Sequence, residues 1–524
     1  MLRNKRKEVA EYTKTVQIDG KTWEEYFEGL HCAHEEQEDD HYDEVAENIG
    51  ASEITNQAVE EAIQKLKNRK SPGPDEIPNE LLKYGGPQLS NELKSLFNRI
   101  LNTGKVPEEW KKSVTIPIFK KGDRKKPENY RGITLLNSTM KLLTKILTDM
   151  IQRHTKISEE QQGFRKNRST LDAIYIVRQL IEKSIEYNKP MYMCFIDLTK
   201  AFDRVQLRDV TRIMKKKHVS GDIVKIVREL NHETSTRIMT NKGLTKEIPT
   251  PTGIRQGDSL SPQLFNLIMD DIIEELKETT RGYKLTTGEI KIICYADDAV
   301  IVAESEDDLQ RLLFKFYTKA RELNMEISTT KTKSLVVSKE PIRCKLVVED
   351  RPIEQVMTVA YLGVQISSNQ DRIREIRDQT NKAARISGAL RDIVWNNKNM
   401  RKEAKTRIYK TIVRPIMTYG IETRADTKLM KNALRTAEMK VLRNVLGLTL
   451  RDRRRNEEIR RECDVPDIVR WGRNRRRSWN AHVERMGEGR IAKIARDGTP
   501  GTRRPLGRPP KRWRDSWTSI SQEA

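Results

Sequence analysis

Acidic residues stand at places in this chain where strands usually exclude them. Asp197 directly follows a six-residue apolar stretch, and Asp297-Asp298 lies between the β-prone stretches Lys291–Tyr295 and Ala299–Ala303. Aspartate is depleted in strands, and adjacent like charges repel unless a cation neutralises them. The sequence therefore predicts one strand that ends in a carboxylate and a hairpin that carries two. The alternative is that Asp297-Asp298 is only a polar hairpin turn.

Three carboxylates that converge from neighbouring strands would form an oxygen-rich site suited to Mg²⁺. Two such ions, about 3.5–4 Å apart, would lower the pKa of a 3′-hydroxyl and stabilise a leaving pyrophosphate. The five cysteines form no C-x-x-C pair, so the sequence predicts neither a zinc site nor a disulfide framework. The three carboxylates are typical of a phosphoryl-transfer site. The scattered cysteines are typical of a protein in a reducing compartment.

The charge of the chain indicates a polyanionic partner. The net charge is +23 over 524 residues, whereas residues 1–60 carry −10 and residues 435–524 carry +12. A chain of this length is expected to form several packed subdomains, here with an acidic leader and a basic nucleic-acid-binding tail. The sequence has no apolar run near 18 residues and no signal-peptide pattern. We therefore expect an intracellular protein. The nucleus is the preferred location, and the cytoplasm is the alternative.

Three motifs resemble those of reverse transcriptases. Tyr295–Asp298 reads Y-A-D-D, Phe195–Asp203 resembles the first catalytic motif, and Gly253–Pro262 resembles the motif that positions template and nucleotide. Further blocks resemble the enzymes of non-LTR (LINE-type) retrotransposons: Lys70–Asp75, Ile77–Lys83, Pro117–Asp123, Asn129–Ile133, Gln161–Arg165 and Tyr361–Val364. The resemblance covers about residues 55–450, with weaker matches to 517.

The resemblance implies an α+β right-hand polymerase fold with a helical, basic C-terminal extension. Its expected parts are a leader (1–54), fingers (55–190), palm (191–367), helical thumb (370–450) and an Arg/Trp-rich tail (451–524). The palm should hold the two Asp-bearing elements side by side in a βαββαβ sheet. The leader is too short for the endonuclease that often precedes such polymerases, so we expect none here.

Catalytic roles also follow from the resemblance. Two Mg²⁺ or Mn²⁺ ions would be held by the carboxylates of Asp197, Asp297 and Asp298 and by the carbonyl of Leu198. Lys331 resembles the lysine proposed to protonate pyrophosphate, and Lys333 is a rival for that role.

Nucleotide binding is assigned by resemblance to Lys120, Arg124, Arg131, Phe202, Gln256 and Gly257. The basic residues would meet the triphosphate, or else they belong to a solvated surface. Phe202 resembles the gate that rejects a ribose 2′-hydroxyl, and its alternative is a core aromatic. Gly257 would let the backbone approach the nascent base pair, unless its role is structural.

Nucleic-acid contacts are predicted at Tyr361, Leu362, Gly363, Arg475, Arg476, Arg508 and Lys511. The stretch Tyr361–Ile366 resembles a primer-grip strand. In the tail, arginines would contact phosphates and tryptophans would stack on bases. The alternative is that the tryptophans pack a small helical domain.

These features predict an RNA-directed DNA polymerase of a retrotransposon, with RNA template, DNA primer and deoxynucleoside triphosphates as partners. Two alternatives remain open. One is a catalytically silent or co-opted RNA-binding protein that kept the fold, and the other is a protein similar to group II intron maturases.

Overall fold

The computed structural model describes residues 18–31, 53–279, 281–369, 373–507 and 510–518. The chain divides into two compact units. The first unit takes the described parts of Met1–Ser158, with Leu198–Glu275 and Tyr317–Ile327. The second takes Glu159–Asp197 and the described parts of Leu276–Phe316 and Ser328–Ala524. Arg508 lies outside the described residues.

Helices and strands are mixed along the described chain, as the α+β prediction requires. The α-helices are Gly20–His31 (α1), Asn56–Lys65 (α2), Asn79–Tyr84 (α3), Gly86–Thr103 (α4), Ser138–His154 (α5), Thr170–Tyr187 (α6), Ala201–Arg204 (α7), Leu207–Lys216 (α8), Gly221–Asn231 (α9), Ser261–Thr279 (α10), Glu306–Glu322 (α11), Ile373–Ala389 (α12), Lys402–Ile408 (α13), Arg414–Met417 (α14), Lys428–Leu446 (α15), Asn456–Glu462 (α16), Ile468–Glu484 (α17), Ile491–Asp497 (α18) and Asp515–Thr518 (α19). The strands are Lys112–Phe119 (β1), Tyr130–Leu135 (β2), Met191–Ile196 (β3), Ser235–Thr240 (β4), Gly243–Leu244 (β5), Ile248–Pro249 (β6), Tyr283–Leu285 (β7), Gly288–Ile290 (β8), Ile292–Tyr295 (β9), Asp298–Ala303 (β10), Lys333–Val337 (β11), Val347–Val348 (β12), Arg351–Pro352 (β13), Glu354–Gln355 (β14), Thr358–Tyr361 (β15) and Val364–Ser367 (β16).

The first unit is built on a sheet in which β1 pairs with β2 antiparallel and with β4 parallel. Helix α1 lies on this sheet through Trp23 and Phe27, which form an apolar cluster with Ile238 and Ile248. Burying such aromatic side chains contributes about 1.5–3 kcal/mol each. Helix α1 therefore packs on this sheet at β4 and β6.

The second unit is built on a sheet with strand order β14-β11-β3-β10-β9. β3 pairs antiparallel with both β10 and β11, so the two elements that carry the predicted aspartates are neighbours, as predicted. The central strands are apolar because both faces are covered, and Val300 and Val302 of β10 belong to the main core cluster. Helix α6 supplies much of that cluster, and its start is fixed by a capping box of Ser169 and Asp172.

Most of the predicted elements are present with shifted ends. The sequence pattern predicts an amphipathic helix at 56–68 and a strand at 114–119. The helix is Asn56–Lys65 and the strand is Lys112–Phe119. The mainly helical pattern expected after residue 370 is confirmed, although π-helical turns interrupt it at Arg391–Trp395 and Tyr409–Val413. Local periodicity sets where an element lies, whereas tertiary contacts decide its last turn.

One predicted strand is wrong. The stretch Tyr361–Ile366 is a hairpin, in which β15 and β16 are joined by Leu362 and Gly363 with φ of +45° and +86°. Two successive positive φ values reverse the chain in a two-residue turn. The predicted primer-grip residues therefore lie at a hairpin turn rather than along a strand.

Candidate active site and nucleotide-binding residues

The predicted catalytic carboxylates of the second unit lie at the end of one strand pair. Ile196 of β3 pairs with Ala299 of β10, so the next position along the two strands sets Asp197 opposite Asp298. The Asp197 backbone is held on both sides: its N–H donates to Thr332 Oγ1 at 3.3 Å, and its carbonyl accepts from the Ser328 N–H at 2.9 Å. Like charges directly opposite on a sheet are destabilising, which favours a cation at this position.

The turn before Asp297 has an unusual backbone. Ala296 has a φ of +56°, a conformation that few non-glycine residues adopt. The fully buried Gln161 holds it: Gln161 Oε1 accepts from the Ala296 N–H at 2.9 Å, and Nε2 donates to the Ala296 carbonyl at 3.2 Å. The sequence connects Gln161 with the family but assigns it no role. The structure places it directly behind the Asp-bearing turn.

A lysine already lies on one of these carboxylates. Lys331 Nζ is 3.2 Å from Asp197 Oδ1, and its side chain is largely exposed. Lys333, the rival candidate, instead forms an ion pair with Glu354 at 2.7 Å and donates to the Thr330 carbonyl. Between the two predicted proton donors, Lys331 is the one in contact with the site.

The three aspartates have the right donor atoms for a hard divalent cation. Within the described residues, no three His, Cys, Asp or Glu side chains are gathered closely enough to hold one metal ion. The fit therefore rests on donor chemistry and on strand position, and on the ammonium group of Lys331 at Asp197, which shows that this carboxylate accepts a cation. Leu198 follows Asp197 in the chain and pairs with Ile327 in an isolated bridge.

All six predicted nucleotide-binding positions lie in the first unit. The loop that contains Gln256 and Gly257 is fixed to β2, because the Thr134 N–H donates to the Gln256 carbonyl at 2.8 Å. Gly257 has a φ of +132°, and a Cβ there would overlap the Thr134 carbonyl oxygen. The fold therefore requires a glycine at position 257, in addition to its predicted role beside the nascent base pair.

Gln256 also has a side-chain partner. Its Nε2 donates to Asp203 Oδ1 at 3.3 Å. Burial raises the pKa of Asp203, against the opposing influence of Lys200, Gln256 and Arg131. The half-buried Asp203 carboxylate thus accepts a hydrogen bond from a predicted base-contacting residue and lies within electrostatic range of Arg131, a predicted triphosphate-binding residue. Asp203 lies in a motif noted in the sequence but was assigned no role.

Phe202 stacks on Phe265, with ring centroids 4.2 Å apart and an interplanar angle of 12°. The ring is half-buried rather than fully enclosed. Both predicted roles for Phe202, core aromatic and gate, are compatible with this position, since stacking fixes the orientation of the ring that a gate would present.

The three basic residues predicted to bind phosphate are exposed at the β1–β2 hairpin. Lys120 closes the hairpin through its N–H, which donates to the Asn129 carbonyl at 2.8 Å. The Arg124 guanidinium lies 4.9 Å from the centre of the Phe119 ring. Arg131 is opposite Ile118 in the strand register. Their side chains face solvent, where a triphosphate can reach them.

Arg255 and Asp258 anchor the same loop and were not predicted to have roles. The half-buried Arg255 donates to the Trp110 carbonyl at 2.9 Å and to the Leu230 carbonyl at 2.6 Å. Asp258 accepts from Thr144 Oγ1 at 2.6 Å. The sequence offered no signal for this anchoring role, because both sets of partners are distant along the chain.

The predicted primer-grip turn is tied to two residues of the second unit that are distant in sequence. The Tyr419 hydroxyl donates to the Leu362 carbonyl at 3.0 Å, and Gln379 Nε2 donates to the Gly363 carbonyl at 3.2 Å. Tyr361 is buried, and burial raises its pKa, with Cys294 and Asp298 contributing. The hairpin is therefore a fixed feature close to Asp298.

The prediction of nucleic-acid contact by Arg476 is wrong. Its side chain is 1% exposed and pairs with Asp426, while the Arg476 Nε donates to the Arg424 carbonyl at 2.7 Å. The apolar stripe of α17 explains this burial, because Arg476 lies in helical spacing with Gly472 and Trp479. That periodicity could have been read from the sequence.

The other described tail candidates have internal partners. Arg475 is half-exposed and pairs with Glu422 at 2.8 Å. Lys511 Nζ donates to the Asp426 carbonyl at 2.9 Å. Trp479 and Trp513 are buried, with ring centres 5.8 Å and 5.0 Å from that of Tyr175. For these two tryptophans, the alternative of packing a helical domain is the correct one.

Within the described ranges, no helix combines the length and the apolar character needed to cross a bilayer.

Comparison with known proteins finds a family model that is similar to the part of the chain containing this site. Residues 118–366 match the family model described as reverse transcriptase (RNA-dependent DNA polymerase). The match includes Asp197, Asp297 and Asp298 together with Gln256 and Gly257. Enzymes of this family generally use divalent metal ions.

Several relatives come from insect retrotransposons. The chain is 27% identical over 245 residues to a retrovirus-related Pol polyprotein from the type-1 retrotransposable element R2 of Nasonia vitripennis. This alignment covers 47% of this chain and 24% of that protein. It is 27% identical over 443 residues to an RNA-directed DNA polymerase from the mobile element jockey of Drosophila funebris. This alignment covers 80% of this chain and 46% of that protein. The jockey polymerase of Drosophila melanogaster is 24% identical over 440 residues.

The chain thus spans between a quarter and a half of the length of these relatives. Similarity extends over most of this chain, which includes the matched motifs and the paired Asp-bearing strands. Residues 118–366 are thus similar to reverse transcriptase domains, and most of the chain is similar to the polymerases of non-LTR retrotransposons.

Proposed function

We propose that this chain is an RNA-directed DNA polymerase that extends a DNA 3′ end by copying an RNA template. The observation that carries the proposal is the pairing of β3 with β10, which sets Asp197 opposite Asp298 at one end of the sheet. The reaction joins the primer 3′-oxygen to the α-phosphorus of a deoxynucleoside triphosphate and releases pyrophosphate.

The aspartates 197, 297 and 298, with the Leu198 carbonyl, are the proposed ligands of two Mg²⁺ ions. Bound divalent ions would activate the 3′-hydroxyl and neutralise charge on the phosphates. Lys331 carries protons on Nζ beside Asp197 and is the proposed donor to the leaving pyrophosphate. The residues themselves supply position and electrostatics, which are the main requirements of phosphoryl transfer.

Substrate selection is proposed for the first unit. Lys120, Arg124 and Arg131 would bind the triphosphate, since exposed cations at a hairpin are well suited to phosphate oxygens. Phe202 would exclude a 2′-hydroxyl, and the Gln256–Gly257 backbone would lie beside the new base pair. The named functional parts would be fingers (55–190), palm (191–367), thumb (370–450) and C-terminal region (451–524).

Contacts with the primer and template are proposed for the Leu362–Gly363 turn and for exposed arginines of α17. Arg470 and Arg477 face solvent on this helix, in contrast to the buried Arg476. The net charge of +23 supports a nucleic-acid partner. The nucleus is the proposed site of action because the DNA primer would be chromosomal.

The test is extension of oligo(dT) on poly(rA) by the purified chain with Mg²⁺, compared with the Asp297→Asn/Asp298→Asn variant. Extension by the parent that is lost in the variant supports the polymerase and its metal site together. Equal activity in both would assign it to a contaminant. A folded parent that binds RNA but does not extend in Mg²⁺ or Mn²⁺ would favour a silent RNA-binding protein. Poly(dA) as template separates RNA-directed from DNA-directed synthesis.

A further inference from the structure

The segment Glu160–Gly163 is built against the strand that leads into the Asp-bearing turn. The Gln162 N–H donates to the Cys294 carbonyl at 2.7 Å, and the Cys294 N–H donates to the Glu160 carbonyl at 2.9 Å. These two hydrogen bonds make a parallel bridge at β9, outside the regular sheet. The segment therefore supports the hairpin from the edge that β10 does not cover.

Gln161 extends this support to the turn itself. A glutamine amide carries both a donor and an acceptor, so one side chain can satisfy the N–H and the carbonyl of the same residue. Gln161 does this for Ala296, and its Oε1 also accepts from the Gly163 N–H at 2.8 Å. A positive φ at a non-glycine residue persists only where its surroundings impose it. Here those surroundings are the Gln161 amide.

Gly163 keeps the segment close to the turn. A Cβ at this position would overlap the backbone nitrogen of Ala296. Gly163 has no positive φ, so an alanine there would be strained by this overlap and not by its own backbone. The need for glycine at position 163 therefore comes from its close contact with Ala296.

The segment is fixed in turn by ion pairs. Arg165 donates to the Gln161 carbonyl at 3.0 Å, and Arg168 pairs with Glu159 at 2.5 Å. Arg490, from the C-terminal region, pairs with Asp172 at 3.1 Å and lies 3.5 Å from Glu159. The contacts form a continuous path from the C-terminal region to the residue that precedes Asp297.

We propose that Gln161 is a positioning residue, which holds Ala296 so that the Asp297 and Asp298 carboxylates are set for metal binding. The proposal rests on the proposed polymerase function and adds a residue to its machinery. The Gln161 side chain is fully buried behind the turn and would act through the Ala296 backbone. Its effect should therefore appear in metal affinity and in the chemical step, and not in the binding of primer and template.

Three substitutions test this role. Gln161→Met keeps the shape of the side chain but removes all three hydrogen bonds. Gln161→Glu keeps the two acceptor contacts and loses the donor to the Ala296 carbonyl. Gly163→Ala displaces the turn from the other side. The matched control is Gln179→Met, because Gln179 is also a buried glutamine of the second unit and its Nε2 has no hydrogen-bond partner.

We expect Gln161→Met to lower the single-turnover rate constant at saturating nucleotide roughly 10- to 100-fold, the size of loss that small misplacements of reacting groups cause. The Mg²⁺ concentration for half-maximal rate should rise, and primer–template affinity should stay at the parent value. Gly163→Ala should act in the same direction, Gln161→Glu should fall between, and Gln179→Met should match the parent. A folded Gln161→Met variant with the parent's rate and Mg²⁺ dependence would overturn the proposal.

Mn²⁺ binding tests the positioning role of Gln161 independently of the proposed polymerase activity. The free Mn²⁺ ion is measured by electron paramagnetic resonance, without nucleotide, for the parent, Gln161→Met, Gln179→Met and Asp297→Asn/Asp298→Asn. Weaker binding by Gln161→Met, in the direction of the aspartate variant, supports positioning even if the parent does not extend a primer. Affinity equal to that of the parent overturns it, whatever the parent's polymerase activity.

Discussion

The side-chain amide of Gln256 donates a hydrogen bond to the half-buried carboxylate of Asp203, with Nε2 and Oδ1 3.3 Å apart. Because an ionised carboxylate only accepts, this bond fixes which end of the amide faces Asp203. The Gln256 Oε1 is then directed away from Asp203. The orientation of a predicted base-contacting residue is thus set by a residue of the first catalytic motif.

Removing this acceptor should weaken nucleotide binding. We expect Asp203→Leu to raise the apparent KM for deoxynucleotide about tenfold, or about 1.4 kcal/mol, consistent with the loss of a hydrogen bond to a charged group. Asp203→Asn keeps an acceptor oxygen and should have a smaller effect. Steady-state extension at varied nucleotide concentration measures both. A KM unchanged in Asp203→Leu would show that the pair does not position Gln256.

The same carboxylate should make stability depend on pH. Burial raises the pKa of Asp203 above its ordinary value of 3.8. The folded chain then binds this proton more tightly than the unfolded chain, so the stabilising contribution is complete below 3.8 and is lost as pH rises through the folded pKa. Lys200, Arg131 and Tyr26 face the same carboxylate.

Urea unfolding of the parent and of Asp203→Asn between about pH 4 and pH 7 measures this dependence. The non-titrating variant should gain stability relative to the parent as pH rises, while the charges of Lys200 and Arg131 stay constant. A difference in unfolding free energy that does not vary with pH would contradict the predicted shift.

Gly257→Ala should disrupt the nucleotide-positioning loop. Gly257 has a φ of +132° and no space for a Cβ beside the Thr134 carbonyl. Gly243 is a matched control, since its φ is +121° but nothing lies near its Cβ position. Both variants pay the strain of a positive φ, about 1–3 kcal/mol, and only Gly257→Ala adds the overlap. Extension rates at equal folded fraction should fall at least tenfold for Gly257→Ala alone.

Lys331 and Lys333 should differ as proton donors. Lys331 contacts Asp197, whereas Lys333 is engaged by Glu354. We expect Lys331→Ala to lower the single-turnover rate constant about 10²-fold or more, as the loss of a general acid does, while Lys333→Ala has little effect. Reversed sensitivities would assign the role to Lys333. Lys331→Arg tests whether a positive charge alone is sufficient.

Arg476 should contribute to stability and not to nucleic-acid affinity. Removing this buried guanidinium leaves Asp426, whose pKa is held well below its usual range by Arg424 and Arg476, with one fewer partner. We expect Arg476→Met to lower the free energy of unfolding by about 3–5 kcal/mol. The neighbouring Arg477 is exposed, so Arg477→Met should change stability by less than about 0.5 kcal/mol.

RNA affinity at two salt concentrations completes this comparison. Arg477→Met should reduce the affinity and its salt dependence if α17 contacts phosphates, since each lost phosphate contact lowers the salt slope. A folded Arg476→Met variant with the larger loss of affinity would instead restore the rejected role of Arg476.

Local pattern explains what could be predicted. The position of Asp197 after an apolar strand and of Asp297-Asp298 in a hairpin follows from runs of fewer than ten residues. The structure confirms both strands and their pairing. The hairpin turn at Leu362-Gly363 was missed because a leucine with positive φ has no clear signal in the sequence.

The amino-acid sequence by itself determined the strands, the helices and the residue types available for chemistry, because these depend on neighbours along the chain. Only the tertiary structure decided that Gln161 holds Ala296, 135 residues further on, and that Asp203 orients Gln256. It also decided that the buried Arg476 pairs with Asp426, which lies 50 residues earlier. Partners distant in sequence are chosen by packing and by the cost of leaving buried polar groups unpaired, which no local pattern records.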